Sequence, residues 1–210
     1  VTELETRPEA PGEQAAVLDV VRRAFGAEDP AEGEAIAALV ATMHAEAETL
    51  GAVSLVAVAD GTVVGHVGLT RGWVDAPERL VAVPVLSPLS VLPERQGQGI
   101  GAALLEAAAA YADRTGAPLV VLEGAPDLYA RHGYVAADSV GLERPSDRIP
   151  RPACQVRLLT AYDATLTGRI VYPDVFWRFD AVGLRGETLA MVEAALADRE
   201  AGDGHDGGTA

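Results

Sequence analysis

Residues 86–115 read LSPLSVLPERQGQGIGAALLEAAAAYADRT, and the order of their parts decides the fold. An apolar, strand-like run ends at Pro93, the cluster Gln96-Gly97-Gln98-Gly99-Ile100-Gly101 follows, and an alanine-rich helical pattern then runs to Gly116. A strand that hands the chain to glycines opening a helix leaves several backbone N–H groups unpaired, with the positive end of the helix dipole behind them. Such a place binds anions, and a pyrophosphate is its expected guest. Two well-known phosphate loops do not fit. A dinucleotide-binding turn spaces its glycines as G-x-G-x-x-G and a P-loop ends in Gly-Lys-Ser/Thr, whereas here the glycines stand at 97, 99 and 101 and the chain has no lysine.

The flanking segments extend this reading. Pro84 and Pro88 interrupt the strand expected over residues 83–91; neither donates to a ladder, so the strand is expected to be disturbed, as a bulge or as a sheet edge. The helix expected over 101–115 sets Leu104, Leu105, Ala108 and Tyr111 toward a sheet and leaves Glu106 and Asp113 in water. Residues 119–122 suit a parallel strand buried on both faces, completing a right-handed strand–helix–strand unit with a ligand crevice at its strand ends. Upstream, runs 53–59 and 62–69 flank Asp60-Gly61, which favours a hairpin, and the chain then turns near Ala76-Pro77-Glu78. Residues 13–25 form an amphipathic helix, and a second follows the polar loop 27–33 with Ile36, Leu39, Val40 and Met43 on one face. A short first strand is expected over 3–7, ended by Pro8. His66, between Gly65 and Val67 in a strand, reads as structural rather than catalytic.

A second chemical element is EGAPDLYARHGY, residues 123–134. Pro126 suits the first turn of a short helix and Gly133 its cap, with Tyr129 between them. Together the two elements resemble the GNAT superfamily of N-acetyltransferases. Its signature, Gln/Arg-x-x-Gly-x-Gly/Ala, is met by Gln96, Gly99 and Gly101, and its later Tyr…Gly-Phe/Tyr pattern by LYARHGY. The resemblance implies an α/β (α+β) fold, a mixed and mostly antiparallel central sheet splayed near the acetyl-CoA site and flanked by helices. It implies acetyl-CoA as cosubstrate, its pantetheine arm on Leu89, Ser90 and Val91 and its pyrophosphate on Gln96, Gly97, Gln98, Gly99, Gly101 and Ala102. It also implies Tyr129 as the general acid, against the simpler alternative that Tyr129 only packs under the cofactor. A phenol of pKa about 10 is suited to protonate a leaving thiolate whose conjugate acid has a pKa near 8.5.

The general base is less defined. The strand before Val91 offers only Ser87 and Ser90, so Glu123, at the end of the next strand, is the carboxylate candidate; His132, a water relay or an acceptor arriving partly neutral stay open. The implied partner is a small-molecule primary amine. Acetylation of a protein N-terminus or side chain, or cofactor sensing without turnover, would use the same cofactor residues.

Composition sets outer limits. The 210 residues suit one domain over 1–200, with a disordered tail over 201–210. Apolar runs at 156–159 and 170–172, aromatic Phe176 and Trp177, and a terminal helix with Leu189, Val192 and Leu196 extend the core. The Y-P-x-x-F segment resembles YhbS-type N-acetyltransferases, and it either walls an acceptor pocket or covers a sheet edge. No apolar run approaches the roughly 20 residues that cross a bilayer. The net charge of −15 disfavours nucleic acid and suits a cationic acceptor, although an acidic surface also serves solubility alone. With no lysine, Schiff-base chemistry is excluded. His44, His66, His132 and His205 show no ligand spacing with Cys154, so no metal is expected. One cysteine makes no internal disulfide, and the opening residues, with Thr2, Glu3 and Glu5, do not read as a secretory leader; the expected compartment is the cytoplasm. The sequence leaves open whether the chain forms a homodimer.

Overall fold

The computed structural model describes residues 4–203, with side chains described through residue 196. The tail expected over 201–210 therefore lies, from residue 204 onward, outside the described residues. In chain order the elements are β1 (Leu4–Pro8), α1 (Gln14–Phe25), α2 (Pro30–Ala45), α3 (Ala47–Leu50), β2 (Val53–Ala59), β3 (Thr62–Asp75), β4 (Leu80–Val91), α4 (Ile100–Arg114) and β5 (Leu119–Glu123). After these come α5 (Pro126–Tyr129), β6 (Tyr134–Ala136), β7 (Leu142–Glu143), β8 (Cys154–Leu158), β9 (Gly168–Val171), α6 (Asp174–Arg178) and α7 (Gly186–Asp203). The strands make one sheet in the order β1-β2-β3-β4-β5-β8-β6, with β9 pairing β3 and β7. Among the described residues, only β4–β5 and β7–β9 run parallel.

Local chemistry explains the boundaries. Val17, Val20 and Val21 form the buried stripe of α1, as their spacing requires. Helix α2 starts inside the segment expected to be loop, because the Asp29 side chain accepts a hydrogen bond from the Ala31 N–H at 2.9 Å and Pro30 occupies the first turn. Asp60 and Gly61 both take positive φ at the β2–β3 turn, as a tight hairpin needs. Strand β3 continues past Leu69 to Asp75, since Thr70 to Asp75 find partners in Val85 to Leu80 of β4. Where β2 ends, β9 takes over that edge, pairing Trp73, Val74 and Asp75.

The disturbed strand is a bulge within the sheet. Val67 pairs Leu89 and Leu69 pairs Leu86, so Ser87 and Pro88 together face Gly68, and Pro88 falls where the ladder needs no N–H. The sheet is covered on both faces. Along β5, Val120 and Leu122 join a buried cluster with Ile100, Leu104 and Leu105 of α4, while Leu119 and Val121 join another with Leu39 and Met43 of α2 and Phe176 of α6. Alternation along a strand therefore sends one set of side chains toward α4 and the other toward α2 and α6.

Candidate active site

The two parallel strands at the centre separate almost as soon as they meet. Strands β4 and β5 are in register only at Val85 and Val121, yet β4 continues to Val91 and β5 to Glu123. The N–H of Leu92 bonds to the Val64 carbonyl at 3.0 Å, and in an antiparallel ladder alternate residues bond the same neighbour. The peptide groups of Ser90 thus face β3, and those of Leu89 and Val91 face the gap. The Val91 carbonyl accepts from Gln96 Nε2 at 3.2 Å. The Ser90 hydroxyl is directed to the His66 carbonyl at 3.4 Å, so its side chain supports β3 instead of facing the gap.

The glycine loop lies at the end of β4. Residues 96–99 are exposed, and Gly97 and Gly99 have φ of 74° and 81°, a conformation glycine adopts without steric cost. A Cβ at either would meet nothing within 4 Å; the space beside the loop is open. Among the described residues, no hydrogen bond is made by the N–H groups of Gly97, Gln98, Gly99, Ile100, Gly101 or Ala102. Six donors left without partners at the start of α4 are suited to an anion. The Gln98 side chain turns back to the Glu94 carbonyl at 3.3 Å, and Glu94 pairs with Arg23 of α1 at 2.8 Å.

Two titratable side chains approach the gap from opposite faces of the sheet. Tyr129, at the end of α5, packs against the α4-side cluster and meets Tyr134 edge-on, with ring centroids 5.8 Å apart. Its ring lies over Gly124, where a Cβ would come within 2.9 Å of Tyr129 Cδ2. Burial raises the proton affinity of its hydroxyl, so it is a proton donor at neutral pH. Glu123 falls in phase with Leu119 and Val121, on the α2 and α6 side. Its Oε2 accepts from the Gly183 N–H at 2.9 Å, while Oε1 is buried without a hydrogen-bond partner among the described residues. Burial, partly offset by Gly183, Tyr172 and Arg148, pushes its carboxyl up to about 7.

Glu123 and Ser87 line a cavity of about 60 Å³ together with Val85, Leu86, Tyr172 and Phe176. Phe176 thus contributes a wall here, while Trp177 is 43% exposed. The Gly183 backbone is the contribution that sequence reasoning missed; Tyr172 stood out as the end of an apolar run and the start of the Y-P-x-x-F segment, with no tie to Glu123. His132 is near Glu106 of α4, whose carboxyl it influences. His66 is 1% exposed and burial pushes it down to about 3, which leaves it neutral in the interior. Burial, with Glu123 nearby, pushes the Cys154 thiol up to about 12, so it is no nucleophile at neutral pH.

An open strand edge that can pair with an extended ligand, an anion site at its end, a carboxyl titrating near neutrality and a phenol that keeps its proton together suit acyl transfer to an amine. Residues 51–136 match the acetyltransferase (GNAT) domain. The chain is 34% identical over 162 residues to the uncharacterized N-acetyltransferase YjhQ of Escherichia coli (strain K12), covering 73% of this chain and 83% of that protein. The structure is similar to that of the GNAT family N-acetyltransferase YhbS from Escherichia coli in complex with CoA, with a TM-score of 0.74 and 29% identity over 88% of this chain and 97% of that one. It is also similar to a GNAT family acetyltransferase from Brucella melitensis in complex with acetyl-CoA, with a TM-score of 0.65 and 26% identity over 83% of this chain and 98% of that one. The bulged and open strand, the donor-lined loop and the tyrosine beside the gap thus sit in a sequence and fold shared with those enzymes, and the chain belongs to the GNAT family of N-acetyltransferases.

Proposed function

We propose that this protein transfers an acetyl group from acetyl-CoA to the primary amine of a small molecule, by direct attack while both are bound. The observation that carries the reading is the disposition of Glu123 and Tyr129 on opposite faces of one gap, between a free strand edge and six free N–H groups. CoA and acetyl-CoA occupy the two related structures, and the open strand edge and unpaired N–H groups of this chain suit that ligand. The pantetheine arm extends along Leu89 and Val91, and the pyrophosphate lies on the N–H groups of residues 97–102.

The amine approaches from the Glu123 side. Glu123, whose carboxyl burial pushes up to about 7, in its charged form takes a proton from the ammonium. The neutral nitrogen attacks the thioester carbon, forming the C–N bond and placing the negative charge on oxygen, where N–H groups of the open β4 edge can stabilise it. Collapse breaks the C–S bond and Tyr129 gives its proton to the departing sulfur; the proton still held by the nitrogen returns to the tyrosinate by way of water, and Glu123 releases the proton it took to solvent. The products are the acetamide and free CoA.

The test is CoA release from acetyl-CoA across amines, amino acids, polyamines, aminoglycosides and peptides, with the wild type beside Tyr129→Phe. We expect acceptor-dependent release that drops by about 10²-fold or more in kcat in the variant, with acetyl-CoA binding retained. Full turnover in Tyr129→Phe would remove the tyrosine from the mechanism. Tight acetyl-CoA binding with no release for any acceptor would favour a sensor of the cofactor.

A further inference from the structure

Glu123 and Tyr172 present an unusual pair of atoms. Glu123 Oε1 and the Tyr172 hydroxyl are both buried, both lack a hydrogen-bond partner among the described residues, and both belong to residues lining the same cavity of about 60 Å³. Buried polar groups normally find partners, because leaving them bare forfeits their hydration. The two lie close enough for the phenol to lower the carboxyl's proton affinity, yet short of hydrogen-bonding geometry, with the cavity beside them.

We infer that Tyr172 is a positioning residue for the base: its hydroxyl holds Oε1 of Glu123 toward the incoming amine and governs how tightly the carboxyl keeps its proton. Resting on the reading of Glu123 as the base, this gives the Y-P-x-x-F segment a role at the site. Oε2 is already fixed by the Gly183 N–H, which can only donate. A phenol can donate to the carboxylate before the reaction and accept from the carboxylic acid after the proton has arrived, so it serves both states. Tyr172 is itself held firmly: it follows β9 directly, is 6% exposed and meets the buried ring of Phe176 edge-on, with centroids 5.8 Å apart.

Other groups act on Glu123 from each packed element. Arg148 favours its charged form but is tied to Asp180 at 2.7 Å. Cys154, opposite Glu123 in the β5–β8 pairing, keeps its proton. Gly183 donates from the segment between α6 and α7. Of these, Tyr172 is the side chain whose hydroxyl shares the cavity with Oε1.

The experiment follows the Glu123 carboxyl by carbon-13 NMR over pH, its signal identified by loss in Glu123→Gln. We expect Tyr172→Phe to raise the midpoint by about one pH unit, and to move the acid limb of kcat/KM the same way. Incorporating 3,5-difluorotyrosine at position 172, a stronger donor, should lower the midpoint. An unmoved midpoint in both variants would overturn the inference and leave Tyr172 a packing residue. The titration needs no acceptor, so a moved midpoint without any amine-dependent CoA release would instead count against the proposed transfer reaction.

Discussion

A methyl group at position 124 would collide with the ring of Tyr129, coming within 2.9 Å of Cδ2 and 3.1 Å of Cζ. Gly124 is therefore needed for what its missing side chain allows: the tyrosine ring packs against the backbone that leaves β5, one residue beyond Glu123. Gly124→Ala should displace the phenol and lower kcat/KM by about 10²-fold, while calorimetry still finds acetyl-CoA bound. Unchanged kinetics would mean that the position of Tyr129 is unimportant. The place of Tyr129 is legible in sequence because its frame is local, with Pro126 opening its helix and Gly133 closing the following turn at φ 77°. The environment of Glu123 is not, because its partner Gly183 stands 60 residues downstream and no local pattern marks a glycine as a hydrogen-bond donor.

At the scale of elements, the loop into α4 distinguishes glycines that look alike in sequence. Gly99 sits before the helix with φ 81°, whereas Gly101 is inside α4 and a Cβ there would meet only Val91 Cγ2, at 3.9 Å. Gly99→Ala should cost about 1 kcal/mol of stability through its backbone conformation and also abolish CoA binding measurable by calorimetry, since the new methyl enters the space beside the donors. Gly101→Ala should raise stability by about 1 kcal/mol, as alanine does in a helix, and retain binding. If both variants behaved alike, the anion site would lie elsewhere. The glycine spacing announces the loop, and the βαβ order announces the crossover, but the length of β3 and the early start of α2 depend on pairing and capping that the apolar pattern does not reveal.

Across the whole molecule, the sheet separates two buried clusters, and the C-terminal elements complete the one beside Glu123. Phe176 is 1% exposed in that cluster, although α6 has only five residues and draws its stability from packing. Phe176→Ala should cost about 3–5 kcal/mol in denaturant unfolding; a loss below about 1 kcal/mol would show that this segment is not part of the cooperative core. Where the cofactor lies is read most directly from a crystal structure of the protein with acetyl-CoA. The pyrophosphate is expected on the N–H groups of residues 97–102, the pantetheine arm paired with Leu89 and Val91, and the thioester between Glu123 and the Tyr129 hydroxyl, with sulfur on the tyrosine side. A cofactor whose thioester lies outside the gap between β4 and β5, away from both side chains, would contradict that placement.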